Sequence, residues 1–164
     1  MAQMATERLQ EVLESAERHI RELQKENAQL RALIGLDYQR DVSDFHYKFG
    51  QYVGATPALP PIHVQEFRHK LIDEEIIREL LPAIEHEDLP QIADGIVDGI
   101  YVLQGTAVSY GIQIAPIWAK VHAYNMGKIP VKSANCDMKP LKPEGYPHPD
   151  ITRELMLQAL QGEK

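Results

Sequence analysis

Between Ile62 and Tyr110 apolar residues recur every three to four positions, and the stripe they draw carries carboxylates along with it. That period belongs to amphipathic helices packed on one another. In the first half, Val64, Phe67, Leu71 and Ile72 mark the face expected to be buried. Steps of three and four lead on to Glu75 and Glu79, with Ile76 and Leu80 alongside. In the second half, Ile92, Ile96, Val97, Ile100 and Leu103 mark the expected core side, and Asp94 and Asp98 are set among them. An ionised carboxylate in such surroundings costs on the order of several kcal/mol even after relaxation. Several together also repel, and a divalent cation relieves both problems. Residues at i and i+4 lie one above the other on a helix. Glu75/Glu79 and Asp94/Asp98 therefore form two vertical pairs, which antiparallel packing can face across one groove. All-oxygen ligation suits Mg²⁺ or Mn²⁺ rather than zinc. Glu74, Glu75 and Glu79 are also compatible with a solvated face beside Asp73 and Arg78, and Asp94 with a surface position. Asp98 is the hardest to account for in that way. A di-iron site in a helical bundle expects a Glu-x-x-His repeat on two helices, and this chain has none.

The rest of the chain reads as helices with short breaks. Asp41–Gly50 is expected to be a short helix with Val42, Phe45 and Phe49 on one face and Gly50 past its end. Thr56–Pro61 is a loop, and Pro60 or Pro61 suits the start of the helix Ile62–Glu85. Asp88 caps a helix from Leu89 to about Tyr110, which stops at Gly111; Pro116 sits in the first turn of another that ends near Gly127. An amphipathic stretch, Asp150–Gln161, closes the chain. No segment sustains a period of two, so no significant sheet is expected. Four helices with short connections make an all-α, four-helix-bundle core.

Ahead of it lies a heptad pattern. Leu9, Ala16, Leu23 and Leu30 fall at d; Leu13, Ile20, Asn27 and Ile34 fall at a. The repeat is long enough to separate a 3.5-residue from a 3.6-residue period and predicts a coiled coil, with Asn27 selecting a parallel dimer. The alternative is a plain amphipathic helix lying on the domain behind it. The expected organisation is a coiled-coil helix over 1–36, a core over 37–130, and an irregular Pro/Lys-rich segment with a last helix over 131–164.

With a net charge of −7, the chain is not suited to grip a nucleic-acid backbone directly. Its lone cysteine, Cys136, excludes an internal disulfide and a cysteine-based zinc site. There is no apolar run of membrane-spanning length and no apolar signal-peptide core at the N-terminus. The expected location is cytoplasmic.

Five ordered pieces, DFHYKFG, RHKLIDEEIIREL, DLPQIADGIVDGIYVLQGTAVSYGI, VHAYNMGK and KPEGYPHPDI, together resemble the MazG-like and phosphoribosyl-ATP-pyrophosphohydrolase-like all-α nucleotide pyrophosphohydrolases. The resemblance runs from about Val42 to Asp150. It implies attack of water on the α-phosphorus of a nucleoside triphosphate, releasing a monophosphate and pyrophosphate with Mg²⁺ or Mn²⁺. The family's acidic signature resembles E-E-x-x-E followed by E-x-x-D. Here Glu75, Ile76 and Glu79 fall on the first part, with an alternative register on Glu74 and Glu75 that puts Arg78 third. Gly95 and Asp98 fall on the second, and Asp94 is a substitute ligand.

The implied metal ligands are Glu75, Glu79, Asp98 and Asp94, and the implied base is Glu74 or a carboxylate not fully used as ligand. Asn125 and Lys128 would contact the triphosphate, Lys128 being alternatively a helix-terminal cation. His46 and Phe49 would line the base pocket, Phe49 serving equally as core. Arg68 would reach a phosphate or pair with a nearby acid, and His122 is a further candidate. Tyr101 and Trp118 read as core. The partner is a nucleoside triphosphate, a purine such as dGTP being the first guess. A homodimer or homotetramer is expected, because one helix pair cannot enclose its groove. The rivals are phosphoribosyl-ATP pyrophosphohydrolase itself and a catalytically inactive coiled-coil scaffold, the latter motivated by Ile76 and Gly95.

Overall fold

The computed structural model describes residues 37–132 and 139–162 and, further upstream, residues 8, 10, 12–20 and 22–23. The chain divides into two units, Met1–Asp37 and Tyr38–Lys164. In the first, the described residues up to Leu23 are helical, and Leu13, Ile20 and Leu23 of the heptad pattern are exposed. Leu9, Asn27, Leu30 and Ile34 lie outside the described residues.

The second unit is all-α. Helix α1 spans Tyr38–Lys48, α2 Ile62–Ile72, α3 Leu81–Glu85, α4 Leu89–Ser109, α5 Ile114–Met126 and α6 Ile151–Gly162. Between α2 and α3 the helix continues without a break as a π-helical segment, Asp73–Leu80. The boundaries follow local chemistry. Gly50 adopts a left-handed φ of 65°, and Gln51 N–H donates to the His46 carbonyl at 2.8 Å, the six-to-one bond of a Schellman motif. Pro61 precedes α2, and the Asp88 side chain accepts from Gln91 N–H at 3.2 Å to open α4. Asp150 opens α6 by accepting from Arg153 N–H at 2.8 Å. In keeping with the expectation of no significant sheet, Ile129–Val131 (β1) and Lys139–Leu141 (β2) form just a small antiparallel ribbon. Three residues per strand are too few to show a period of two in the sequence.

The π segment and α4 make the central packing of the unit, with α1 and α2 against α4. The face of α4 that turns inward differs from the one its aliphatic residues predict. Gly95, Gly99, Val102, Gly105 and Ser109 are buried, while Ile96, Val97, Ile100 and Leu103 are exposed. The inward stripe is small because the backbones come close: a Cβ on Gly95 would stand 3.2 Å from Leu80 Cα. The stripe on α2 is turned likewise, with Val64 and Arg68 buried and Phe67 exposed. On α1 the buried pair is Val42 and His46, and Phe49 faces out.

His46 and Arg68 meet inside. His46 is 2% exposed and Arg68 4%. The imidazole Nδ1 lies 3.0 Å from the Tyr52 carbonyl. The guanidinium donates through Nη2 to the Val102 carbonyl at 2.6 Å and through Nε to the Thr106 hydroxyl at 3.3 Å. Burial, and then the Arg68 charge, outweigh the Tyr52 hydrogen bond and hold the imidazole below its ordinary pKa of 6.5. The folded state therefore resists protonation that the unfolded chain accepts. Stability is expected to be complete above about pH 6.5 and to fall as the pH drops through the folded value. Urea unfolding between pH 7.5 and 5 tests this. His46→Gln should flatten that slope, and an unchanged slope would assign the effect elsewhere.

The start of α5 is held from two sides. Gln39 of α1 accepts from Ile114 N–H at 2.9 Å. Gln158 of α6 both accepts from Gln113 N–H at 2.8 Å and donates to the Gln113 carbonyl at 3.0 Å. Lys120 pairs with the nearly buried Glu154 at 3.1 Å. Among the described residues, no helix is long and apolar enough to cross a membrane.

Candidate active site

The π segment carries Asp73, Glu74, Glu75 and Glu79, and α4 carries Asp94 and Asp98. Its i−5 hydrogen bonding, seen where Leu81 N–H donates to the Ile76 carbonyl, widens the helix at the acids. Such segments are rare and concentrate at functional sites. Arg78 Nε donates to Asp73 Oδ2 at 2.6 Å across the same five-residue step. That pair takes Arg78 and Asp73 out of the acidic set.

The carboxylates act on one another through their charges, and Glu75 feels them most. Burial, and then the charges of Glu79, Asp98, Glu74 and Asp94, push the Glu75 carboxyl above its ordinary range. Glu75 and Asp98 are half-buried, while Glu74, Glu79 and Asp94 reach solvent. Among the described residues, no three His, Cys, Asp or Glu side chains close into a ready-made metal cage. The donor set is nonetheless all oxygen, and its mutual repulsion is what a hard divalent cation offsets. An apolar recess of about 420 Å³, lined by Pro57, Leu59, Tyr110, Leu155 and Met156, lies elsewhere and has no acid in its wall.

Two departures from the expected acidic signature, Ile76 and Gly95, lie at the packing of the π segment on α4. Gly95 backs onto Leu80, and Ile76 fills the space against Gly99, where a Cβ would lie 3.5 Å from Ile76 Cγ1. Both sit on the seam between the π segment and α4, and at Gly95 a side chain would press on the Leu80 backbone, where a Cβ already stands 3.2 Å from Leu80 Cα.

A family model described as phosphoribosyl-ATP pyrophosphohydrolase matches residues 42–125, just over half of the chain. The chain belongs to this family. It is thereby a member of a nucleotide pyrophosphohydrolase family within the MazG-like all-α superfamily. No curated protein matches the chain.

The family match covers every expected site residue except Lys128. His46 and Arg68, expected at a base or a phosphate, are buried and held by the Tyr52 and Val102 carbonyls. Phe49 is 59% exposed and so is not core; it stacks on Phe45 at 4.5 Å, and Phe45 meets Tyr101 edge-on at 5.5 Å. Trp118, read as core, is 67% exposed. His122 and Asn125 are exposed on α5. Lys128, just beyond it, lies 5.3 Å from the Tyr124 ring centroid and is not among the charges acting on Glu75. Lys142, Tyr146 and His148 gather around the same tyrosine ring. The pieces VHAYNMGK and KPEGYPHPDI carry these residues in the sequence, but not the fact that they meet.

Proposed function

We propose that the chain is a metal-dependent nucleotide pyrophosphohydrolase converting a (d)NTP and water into a (d)NMP and pyrophosphate. The observation that carries this is the family match over residues 42–125, supported by the acids that the π segment and α4 carry on packed elements, Glu74, Glu75, Glu79, Asp94 and Asp98. Glu75, Glu79, Asp98 and Asp94 are assigned to hold Mg²⁺ or Mn²⁺, which when bound neutralises phosphate charge and activates water. Glu74 takes the proton of the attacking water, a task open to a carboxylate beside the ligands. Asn125 and Lys128 bind the triphosphate, Phe49 offers an exposed ring to the base, and His122 is a secondary contact.

The exposed aliphatic residues Ile77, Leu81 and Ile84, together with Ile96, Ile100 and Leu103 of α4, support a homodimer or homotetramer that covers them. A cytoplasmic location accords with a sequence that has a single cysteine. The family model's description favours a second substrate, phosphoribosyl-ATP.

A panel of the eight standard NTPs and dNTPs with Mg²⁺ or Mn²⁺, scored for pyrophosphate and monophosphate, tests the reading on protein whose mass is fixed by light scattering. Metal-dependent pyrophosphate release, with dGTP tried first, is the expected result from a dimer or tetramer. Release from phosphoribosyl-ATP alone selects the second substrate. No release from any of them by folded protein would favour an inactive scaffold.

A further inference from the structure

The ribbon that follows α5 sets two cations against each other. Ile129 pairs with Leu141 and Val131 with Lys139; one step outward, the same antiparallel register places Lys128 opposite Lys142. Like charges directly across a ribbon oppose its pairing. Both ammonium groups are instead gathered on one ring, Lys128 Nζ at 5.3 Å and Lys142 Nζ at 5.6 Å from the Tyr124 centroid, within cation–π range. The ring is held in place. Tyr146 stacks on it at 5.1 Å and His148 at 5.2 Å. The Tyr146 hydroxyl closes over Gly127, where a Cβ would overlap it.

Lys142 Nζ also lies 3.0 Å from His148 Nε2. Among the described residues, the salt bridges of this unit engage other side chains and leave both lysines without a carboxylate. The Tyr124 hydroxyl is buried with no hydrogen-bond partner.

We propose that Lys128 and Lys142, seated on Tyr124, form a two-point clamp for the anionic oxygens of an oligophosphate chain. An anion between them removes the cross-strand repulsion, and lysine serves phosphate as a mobile point charge. The inference rests on the reading of the substrate as a triphosphate. It adds Lys142 as a binding residue brought to Lys128 by the ribbon.

Titration calorimetry of the full chain with inorganic tripolyphosphate, in chelator and without nucleotide, tests it. The intact chain should bind, and Lys142→Met should weaken binding by about tenfold or more. Lys132→Met, on the same basic segment but outside the cluster, should leave affinity within about twofold. If Lys142→Met lowers the melting temperature, Lys142→Gln with intact melting should show the same loss. Equal losses at Lys132 and Lys142, or no binding by the intact chain, would overturn the clamp. Asp98→Asn separates the two readings, because it should bind tripolyphosphate as the intact chain does. Pyrophosphate release from nucleotides without a Lys142 effect on tripolyphosphate retires the clamp alone. A Lys142-dependent affinity with no hydrolysis retires the hydrolase and leaves the clamp.

Discussion

Asp98→Asn is expected to reduce nucleotide hydrolysis by at least about 100-fold, the scale of losing support at a metal site, while leaving the fold intact. Asp98 is half-buried on α4, and its charge is the second strongest of those acting on Glu75. Asparagine keeps the shape and one carbonyl oxygen but removes the charge that would hold a cation. The same change relieves repulsion at Glu75, so thermal stability without metal should hold or rise. The added stability conferred by Mg²⁺ or Mn²⁺ should shrink. Pyrophosphate release and metal-dependent melting measured together check this. Near-normal turnover by the variant would remove Asp98 from the site.

Gly105→Ala is expected to destabilise the protein by about 1–3 kcal/mol, the range for overfilling a packed interior. Its new methyl would overlap Arg68 Nη2 and stand 3.0 Å from Arg68 Cζ and from His46 Nε2. Those groups have little freedom to yield, because Arg68 is already tied to Val102 and Thr106. Gly99→Ala is the control on the same helix. Its methyl would lie in ordinary contact with Ile76, and replacing a mid-helix glycine by alanine contributes up to ~1 kcal/mol. Urea denaturation of both variants should move in opposite directions. Two shifts of the same sign would mean that α4 does not approach α1 and α2 as closely as described.

Helix ends were legible in the sequence because local groups decide them. Gly50, Pro61, Asp88 and Asp150 each act within a few residues of where they stand. The acidic pairs were legible in part. Asp94 and Asp98, four apart on the α-helix α4, share a face as the spacing implies, whereas Glu75 and Glu79 stand on a π segment whose aligned step is five residues, which the i, i+4 reading did not foresee.

Hydropathy misjudged which side of α4 faces inward, since glycine carries almost no hydrophobic signal yet permits the closest approach. The aliphatic stripe that looked like core was left outside, on a face we assign to another copy. His46 and Arg68 looked like site residues because both carry chemistry. Only the packing of α1 and α2 on α4 shows them sealed against backbone carbonyls.

By itself, then, the sequence determined an all-α chain, where its helices start and stop, and an acidic register across two of them, all consequences of short-range backbone and side-chain chemistry. The tertiary structure alone decided which faces are buried, where the helix widens into a π segment, and that Lys142 arrives beside Lys128. Those outcomes depend on contacts between residues distant in sequence, and no local pattern encodes them.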